Sequence, residues 1–275
     1  MKDKLSLAAE ERFGIKADPD AVEKLYSYIL DSYGKLDPDT IGRVFSSGEA
    51  ADFLTVNETY FFREPAHFSF LLDLLPSFTK NSPGEIPPGK TALQICCAAV
   101  SSGCEAYSIA MLIEAYNRSA ETRLPYQIDA FDINPRVIET AGQGIYGART
   151  LREDGSVFHY MAEPYLKKTG GAPGAQARRY RLDPSLKKNI RFFVHNLMDA
   201  LPPKEYDLVF FRNAFIYFLP RYRDRILSNL AAVLREGGIL IMGVSETASV
   251  HHAGIEEKNR GDVFYFQKSP FTEIG

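Results

Sequence analysis

Polar side chains follow four predicted strands of this sequence, at the point where each strand ends. Glu105 comes after the first of these strands, Asp132 after the second and Asn196 after the third, and the pair Arg212 and Asn213 follows the fourth. In an open α/β sheet, ligands bind outside the carboxyl ends of the strands, so we expect these side chains to converge on one crevice. Each alone has a structural alternative: Asp132 as a helix cap, Glu105 as a charge at a helix N-terminus, and the asparagines as turn residues.

The loop after the first strand, in LQICCAAVSSGCEAYSIAML (residues 93–112), has small residues but only one glycine, Gly103. Loops that bind phosphate need glycines, because backbone N–H groups must approach the anion closely. A carboxylate at Glu105 repels a pyrophosphate and suits an ammonium group, and Asp132 has the position of an acid that binds ribose hydroxyls. S-adenosylmethionine carries adenosine, a ribose diol and an amino-acid head without phosphate. The residues therefore predict a crevice for S-adenosylmethionine.

The composition is typical of a globular protein. The chain has 275 residues, of which 45% are hydrophobic and 24% charged, and its net charge is −3. This balance gives no overall attraction to nucleic acid or to an anionic membrane, and no N/D-P-P-Y motif is present. No apolar run has the length of a membrane span, and the N-terminus has no signal-peptide core. We predict a cytoplasmic protein without direct membrane insertion and without a nucleic-acid partner.

All three cysteines, Cys96, Cys97 and Cys104, lie close together beside the glycine-poor loop. An odd number of clustered thiols does not make a disulfide framework. Metal ligation by this trio is one interpretation, but no histidine lies nearby with ligand spacing. We predict buried, reduced thiols and no metal site.

We predict three parts of the chain: a helical N-terminal domain over residues 1–50, a helical link and loop over residues 51–90, and an α/β domain over residues 91–275. In the first part, an amphipathic helix follows Asp20 as N-cap and ends at Gly34, and a second helix begins in DPDTIGRVF. In the link, Pro65 and Pro76 interrupt a helical pattern. The Pro/Gly-rich stretch NSPGEIPPGK is the clearest boundary.

Strands and helices alternate after that boundary. The predicted strands are TALQIC, YQIDAFDI, IRFFVHNL, YDLVFFRN, GILIMGVSE and VFYFQK, and the predicted helices are EAYSIAMLIEAYN, PRVIETAGQGIY and LPRYRDRILSNLAAVL. Gly237 and Gly238 stand where the last helix is expected to end and turn. Alternation of this kind predicts a parallel sheet with helices on both faces.

The alternation is interrupted over about residues 151–189, where we predict a small inserted subdomain rich in β-structure. Cations outnumber acidic residues in this insert, and its basic surface is formed by Arg178, Arg179, Arg181, Lys187 and Lys188. Two interpretations stay open, an ordinary solvated face and a docking surface for an acidic helical partner.

Several stretches of the sequence resemble CheR-type chemotaxis receptor (protein-glutamate) O-methyltransferases. TVNETYFFREPAHF (residues 55–68) resembles the motif that joins the two domains of that family, and CCAAVSSGCEAYSIAML resembles its cofactor loop. AFDINPRVIETAGQGIY, FFVHNLMD, YDLVFFRNAFIYF and LREGGILIMGVSET resemble later blocks in order and spacing. The resemblance runs from about Leu5 to Lys268. It implies a Rossmann-like methyltransferase domain with a small helical N-terminal domain and an inserted antiparallel β-subdomain.

The resemblance also implies a reaction and a cofactor site. The reaction is methyl transfer from S-adenosylmethionine to glutamate side chains in the cytoplasmic helical bundle of a chemoreceptor, which gives γ-glutamyl methyl esters and S-adenosylhomocysteine. The implied cofactor-binding residues are Asn57, Thr59 and Arg63 of the linking motif, Ala98 of the loop, Glu105 at the methionine end, Asp132 at the ribose, Asn196 and Leu197 at the adenine, and Arg212 and Asn213 near the methionine moiety.

The catalytic residues implied by the resemblance are Arg63 and Tyr217. A glutamate side chain has an ordinary pKa of about 4.3 and is ionised at neutral pH, so the transfer needs no strong base. Arg63 is expected to orient the substrate carboxylate, to contact the cofactor, or to do both. Tyr217 is expected to approach the transfer point, and the alternative is a packed aromatic ring.

The sequence departs from the family pattern in two places. In the cofactor loop, Ala98, Ala99 and Cys104 stand where the family often has a glycine and a second glutamate, and alanine replaces glycine without strain where φ is negative. The N-terminal helix that is arginine-rich in the family has only Lys24 as a cation here. The basic insert is therefore the surface through which docking on a receptor would be expected, beside its interpretation as a solvated face. We predict a monomer.

Two other functions stay open on the sequence. One is a methyltransferase of the same fold that acts on a different substrate. The other is a non-catalytic S-adenosylmethionine-binding sensor or scaffold, for which the altered cofactor loop is the argument.

Overall fold

The computed structural model of the chain describes residues 2–79, 92–151, 159–169, 179–246, 250 and 252–269. The predicted boundary loop over residues 81–90 lies outside the described residues, as does Arg178 of the basic insert.

Four helices form the N-terminal part: α1 (Lys2–Phe13), α2 (Pro19–Tyr33), α3 (Pro38–Ser46) and α4 (Ala51–Leu54). The predicted end of α2 is confirmed, because Gly34 follows it in the left-handed region with φ 71°. The predicted N-cap, Asp20, is wrong. Asp18 caps the helix by accepting hydrogen bonds from the backbone N–H groups of Asp20 and Ala21. The fixed φ of Pro19 suits the first helical position, which places the cap at Asp18, two residues before the predicted one.

The link between the N-terminal helices and the sheet is helical only in its second half. Residues 55–64, which we name the linking segment, contain no helix or strand. They are followed by α5 (Pro65–Leu74) and a 3₁₀ turn (Leu75–Phe78). Pro65 begins α5, where the N–H that proline lacks would have no helical acceptor. The prediction of a helical link is therefore wrong for the linking segment.

The described residues contain ten strands in two sheets: β1 (Leu93–Ala98), β2 (Tyr126–Asp132), β3 (Ile145–Gly147), β4 (Leu166–Lys168), β5 (Arg179–Leu182), β6 (Ile190–Val194), β7 (Tyr206–Phe211), β8 (Leu234–Met242), β9 (Ile255–Arg260) and β10 (Val263–Lys268). The larger sheet has the order β6-β2-β1-β7-β8-β10-β9, and its first five strands are parallel. β1 lies between β2 and β7, so the strand order changes direction there. A crevice at such a switch point is the usual ligand site of an α/β sheet.

Helices cover both faces of the larger sheet, as predicted. α6 (Cys104–Ser119) and α7 (Pro135–Gln143) follow β1 and β2, two short helices are α8 (His159–Ala162) and α9 (Pro184–Lys187), and α10 (Pro220–Val233) precedes β8. Ile109 and Leu112 of α6 pack in one apolar cluster, and Ile226 and Leu230 of α10 pack in a second. Strands buried on both faces are apolar almost throughout, which explains why the sequence predicted them.

Two features of the larger sheet differ from the prediction. Gly237 and Gly238 lie inside β8 and not at the end of α10, because β8 follows Val233 directly and shifts its register against β7 at this point. Gly237 has φ 69°, and a Cβ on Gly238 would lie 2.8 Å from the carbonyl oxygen of Arg235. The second feature is β9, which was not predicted. Its charged sequence IEEKNR has no alternating apolar pattern, and it forms an edge strand that pairs with β10.

The smaller sheet has the order β3-β5-β4 and is antiparallel, in agreement with the predicted inserted subdomain. Its first strand, β3, comes from before residue 151. The basic side chains of Arg179 and Arg181 on β5 are exposed, as are those of Lys167 and Lys168 on β4.

Candidate active site

A cleft lies at the carboxyl ends of β1, β2 and β7, where the strand order changes direction. It encloses about 1060 Å³, including the space open to solvent. The predicted site residues that line it are Asn57, Thr59, Arg63, Glu105, Asp132, Asn196, Leu197, Arg212, Asn213 and Tyr217. The structure does not bring Ala98 to this wall. Ala98 is 1% exposed within β1, and the next residue, Ala99, lines the cleft in its place.

The glycine-poor loop reaches the cleft through a strained backbone. Ala99 has φ 56° and Ser101 has φ 53°, both in the left-handed region, so the condition under which alanine replaces glycine without strain is not met at Ala99. The loop is fixed because the backbone N–H of Ser101 donates to Asp132 at 2.8 Å. Gly103, with φ 88°, is the one place where a Cβ would meet Ala141 Cβ at 2.8 Å. The loop therefore keeps a glycine at its tightest contact and tolerates strain at Ala99.

Ala99→Gly is expected to stabilise the protein. The left-handed conformation costs alanine roughly 1–2 kcal/mol, and the greater freedom of glycine in the unfolded chain offsets about 0.4–1 kcal/mol of the relief. We expect the free energy of unfolding to rise by about 0.5–1 kcal/mol in urea titrations. Ala110→Gly, in the interior of α6, is the control and should lower it by about 1 kcal/mol. Equal losses in both variants would contradict the strain at Ala99.

Asp132 lies at the end of β2 with its carboxylate in the cleft wall. It accepts hydrogen bonds from the backbone N–H groups of Ser101 at 2.8 Å and Asn134 at 3.0 Å. Burial raises the pKa of Asp132, and these backbone donors oppose the increase. The alternative role as a helix cap is excluded, because Asn134 caps α7 through Arg136. A carboxylate has about four acceptor positions, so these backbone donors leave room for a hydroxyl donor of a ligand.

Arg212 is the centre of a buried polar cluster beside the loop. Its Nη1 donates to Glu105 at 2.9 Å, its Nη2 donates to Glu64 at 3.1 Å and to the carbonyl oxygen of Arg63, and its Nε donates to His67 at 3.1 Å. The sequence analysis missed Glu64 and His67 as site residues. Both stand in the stretch FFREPAHF that it had singled out, so the signal was present there.

The carboxylates around Arg212 have opposite pKa shifts. Burial raises the pKa of Glu105, and the charge of Arg212 only partly opposes this. Burial also acts to raise the pKa of Glu64, but its contact with His67, the charge of Arg212 and hydrogen bonds from Asn213 and Arg212 hold it well below its ordinary value. Burial lowers the pKa of His67, which keeps the ring neutral. The cluster thus has one firmly ionised carboxylate in the linking segment.

Asn213 adopts φ 58° directly after the buried arginine. Its side-chain amide donates to Glu64 at 2.8 Å, and its backbone N–H donates to Glu246 at 2.7 Å. Glu246 also accepts from the backbone N–H of Gly243 at 2.9 Å. Glu246, which the sequence analysis missed, therefore fixes the loops after β7 and β8 to each other.

The N-terminal helices contribute a wall of the cleft that the sequence did not reveal. Phe13 and Ile15 line the cleft. The side-chain amide of Asn196 donates to the carbonyl oxygen of Arg12 at 2.7 Å, and its oxygen accepts from the backbone N–H of Met198 at 3.0 Å. Asn196 is therefore both a turn residue and a joint between the helical part and the sheet. No local sequence pattern predicts this contact between segments that are far apart in the chain.

Arg63 and Tyr217, the two residues that the resemblance implies to be catalytic, both line the cleft. The guanidinium of Arg63 donates to the carbonyl oxygen of Glu58 at 3.0 Å and lies 5.7 Å from the centre of the Tyr60 ring. Among the described residues, no carboxylate pairs with it. The side chain of Tyr217 is 40% exposed, so it is not simply a packed core ring.

Residues 57–264 match the family model for the CheR methyltransferase, SAM binding domain. The chain belongs to the CheR methyltransferase family. The chemotaxis protein methyltransferase of Vibrio parahaemolyticus is 34% identical over 202 residues, which cover 72% of this chain and 67% of that protein. The chemotaxis protein methyltransferase of Borreliella burgdorferi is 32% identical with the same coverage. An uncharacterized 104.1 kDa protein of Rhodobacter capsulatus is 30% identical over 86% of this chain, which is 22% of that protein.

Among solved structures, a putative S-adenosylmethionine-dependent methyltransferase from Methanococcus maripaludis aligns with a TM-score of 0.38 and 11% identity, covering 80% of this chain and 99% of that chain.

S-adenosylmethionine is the cofactor of this CheR-family protein, and the donor set of the cleft fits it. Asp132 offers acceptors for hydroxyls, and Glu105 offers a carboxylate for an ammonium group. A guanidinium has five N–H donors, and the described contacts of Arg212 use four of them, so one Nη1–H remains for a carboxylate. The amino-acid head of the cofactor carries both of these charges.

The three cysteines are free and buried, as predicted. Burial raises the pKa of Cys104 to about 12, which leaves it without thiolate character at neutral pH. Within the ranges that the structure describes, no three His, Cys, Asp or Glu side chains come together as a metal site.

In the same ranges, no helix has the length and apolarity needed to cross a bilayer.

Proposed function

We propose that this protein transfers a methyl group from S-adenosylmethionine to the side-chain carboxylate of glutamate residues in a chemoreceptor. The observation that carries the proposal is the guanidinium of Arg63. It lies in the cofactor cleft, it is held by a backbone carbonyl and an aromatic ring, and among the described residues no carboxylate forms an ion pair with it. A cation held in this way suits an incoming carboxylate.

The chemistry requires orientation more than proton transfer. The cofactor supplies an electrophilic methyl group on a sulfonium sulfur. A glutamate with a pKa of about 4.3 is already ionised, so no residue of the cleft has to remove a proton. Arg63 orients the carboxylate toward the methyl group, and Tyr217 borders its approach. Correct orientation alone supplies up to about 7–11 kcal/mol of rate enhancement in favourable cases.

The same proposal assigns the cofactor contacts. Asp132 accepts from the ribose hydroxyls, and Asn196 with Leu197 frames the adenine. Glu105 accepts from the ammonium group, and Arg212 donates to the carboxylate of the same head. Asn57 and Thr59 of the linking segment close over the cofactor.

A macromolecular substrate is supported by the surface around the cleft. Val56 and Tyr217 line the cleft and are exposed, and Ile216 and Val244 are exposed on the loops that Glu246 fixes together. Exposed apolar side chains grouped around a polar site are typical of protein-binding surfaces. The basic insert offers a second contact area for an acidic receptor bundle, through Arg179, Arg181 and Lys188, which are exposed.

The first test is a methylation assay with methyl-labelled S-adenosylmethionine and cytoplasmic chemoreceptor fragments from the same organism. Base treatment should release volatile labelled methanol, and the signal should disappear with Asp132→Ala. Arg225→Ala, exposed on α10, is the control that should keep it. Binding of S-adenosylhomocysteine without any labelled ester on these fragments would contradict the receptor assignment. It would favour another substrate or a sensor role.

Charge reversal of the basic insert is expected to weaken the receptor contact. The double variant Arg179→Glu/Arg181→Glu should raise KM for the receptor fragments by about tenfold at low salt, and the difference should shrink as salt is added. The affinity for S-adenosylhomocysteine should not change. Arg225→Glu/Lys258→Glu makes the same charge change on exposed residues outside the insert. Equal effects of the two double variants would identify the insert as an ordinary solvated face.

A further inference from the structure

One guanidinium connects three segments that border the cofactor cleft. Arg212 follows β7, its Nη1 holds Glu105 in the first turn of α6, and its Nη2 holds Glu64 and the carbonyl oxygen of Arg63 in the linking segment. The side chain of Arg212 is 2% exposed, so its orientation is set by protein partners. That orientation determines where the Glu105 carboxylate lies and how closely the linking segment approaches the sheet.

His67 completes the set of partners that orient Arg212. Its Nδ1 lies 3.1 Å from Nε of Arg212, and its side chain is 2% exposed in α5. We assign Nδ1 as the acceptor of this bond, because Nε of arginine always carries a hydrogen, and this assignment places the proton of the neutral ring on Nε2. Nδ1 also lies 3.2 Å from Oε2 of Glu64, which already accepts from Arg212. His67 does not line the cleft.

A neutral acceptor is what the charges of this cluster require. Arg212 already pairs with two carboxylates, Glu64 at 3.1 Å and Glu105 at 2.9 Å. A third carboxylate at position 67 would bury a second excess negative charge, which is strongly unfavourable. A hydrophobic residue there would leave the Nε–H of Arg212 buried without an acceptor. Neutral histidine avoids both penalties. Burial lowers the pKa of His67 and the nearby arginine charge adds to this, while the contact with Glu64 opposes it.

We propose that His67 is a positioning residue for the cofactor site. It fixes the orientation of the Arg212 guanidinium. In that orientation Nη1 holds Glu105 toward the methionine end of the cofactor, and Nη2 holds the linking segment over the cleft. The proposal rests on S-adenosylmethionine binding and does not depend on the identity of the methyl acceptor.

The test compares His67→Asn with His67→Leu. Asparagine and leucine have the same number of side-chain heavy atoms and branch at the same carbon as histidine, although asparagine has the smaller volume. Asparagine alone can place an acceptor where Nδ1 was. Calorimetry with S-adenosylhomocysteine is expected to give a dissociation constant for the Asn variant within about threefold of wild type, and one at least about tenfold weaker for the Leu variant. Equal constants for the two variants, whether both near wild type or both weak, would overturn the proposal.

A measurement on the wild-type protein keeps the proposal testable if His67→Leu fails to fold. Nitrogen NMR of protein labelled in the histidine rings reports which ring nitrogen carries the proton. For His67 we expect a neutral ring with the proton on Nε2 at pH 7, with Nδ1 unprotonated. A proton on Nδ1 would place a donor against Nε of Arg212 and would overturn the proposed role.

Discussion

Arg212→Met is expected to lower the free energy of unfolding by about 3–5 kcal/mol and to abolish measurable binding of S-adenosylhomocysteine. Glu64 and Glu105 would lose the cation that they share, and removal of one partner from a buried ion pair has an effect of this size. Methionine is flexible and fills irregular space, so a cavity should contribute little. Urea titration followed by circular dichroism gives the stability, and calorimetry gives the affinity.

Arg225→Met on α10 is the matched control, because its side chain is exposed. It should change the free energy of unfolding by less than about 0.5 kcal/mol. Wild-type stability of Arg212→Met would contradict the structural role of the cluster. Wild-type affinity in a destabilised Arg212→Met protein would separate the cluster from the cofactor site.

The stability difference between wild type and Arg212→Met should also depend on pH. Burial acts to raise the pKa of Glu64, but His67, Arg212 and Asn213 hold it well below its ordinary value in the folded protein. A carboxyl whose folded pKa is lowered contributes stability above its unfolded pKa of about 4.3 and loses that contribution as the pH falls toward the folded pKa. In the variant the part of this contribution that depends on Arg212 is absent, and the contacts of Glu64 with His67 and Asn213 remain. The difference should therefore be full at pH 7 and narrow below about pH 4, and a constant difference over this range would contradict the role of Glu64.

The parts of this site that the sequence revealed are those fixed by the direction of a strand. A strand buried on both faces must be apolar, so its limits are visible, and the polar residue that follows must lie at the carboxyl edge of the sheet. Asp132 and Arg212 were found in this way. Arg63 was found by the resemblance of its motif, because the linking segment has no periodic pattern of its own.

The parts that the sequence did not reveal depend on contacts between distant segments. Glu246 belongs to the site because its carboxylate accepts from the backbone N–H of Asn213, and a backbone donor can belong to any residue type, so the sequence does not reveal this contact. Phe13 reaches the cleft because the helical part packs on the sheet. The φ of Ala99 is imposed by the hydrogen bond between the next turn and Asp132, which overrides the preference of alanine. Asp20 is a different case, since Pro19 was visible and favoured a cap at position 18.

Arg63→Ala is expected to lower kcat for methylation of receptor fragments by about 10²–10³-fold, the effect of removing one donor that stabilises charge at a reacting group. The dissociation constant of S-adenosylhomocysteine should stay within about threefold of wild type. Arg63→Lys keeps the charge but loses the planar fork, so its kcat should lie between those of wild type and the Ala variant. Arg225→Ala is the control for loss of a cation. A large rise in the dissociation constant with kcat unchanged would assign Arg63 to the cofactor instead.

The surroundings of Arg63 argue for an effect on kcat rather than on substrate affinity. A cation that bound the carboxylate of the substrate tightly before transfer would stabilise the ground state as much as the transition state, and would not accelerate the reaction. Arg63 is partly exposed to water, which weakens a static ion pair. The carbonyl of Glu58 and the ring of Tyr60 fix where the guanidinium points. Arg63 therefore directs the substrate carboxylate without binding it tightly, which is what positioning an already ionised nucleophile requires. We expect KM for the receptor fragments to change much less than kcat in Arg63→Ala.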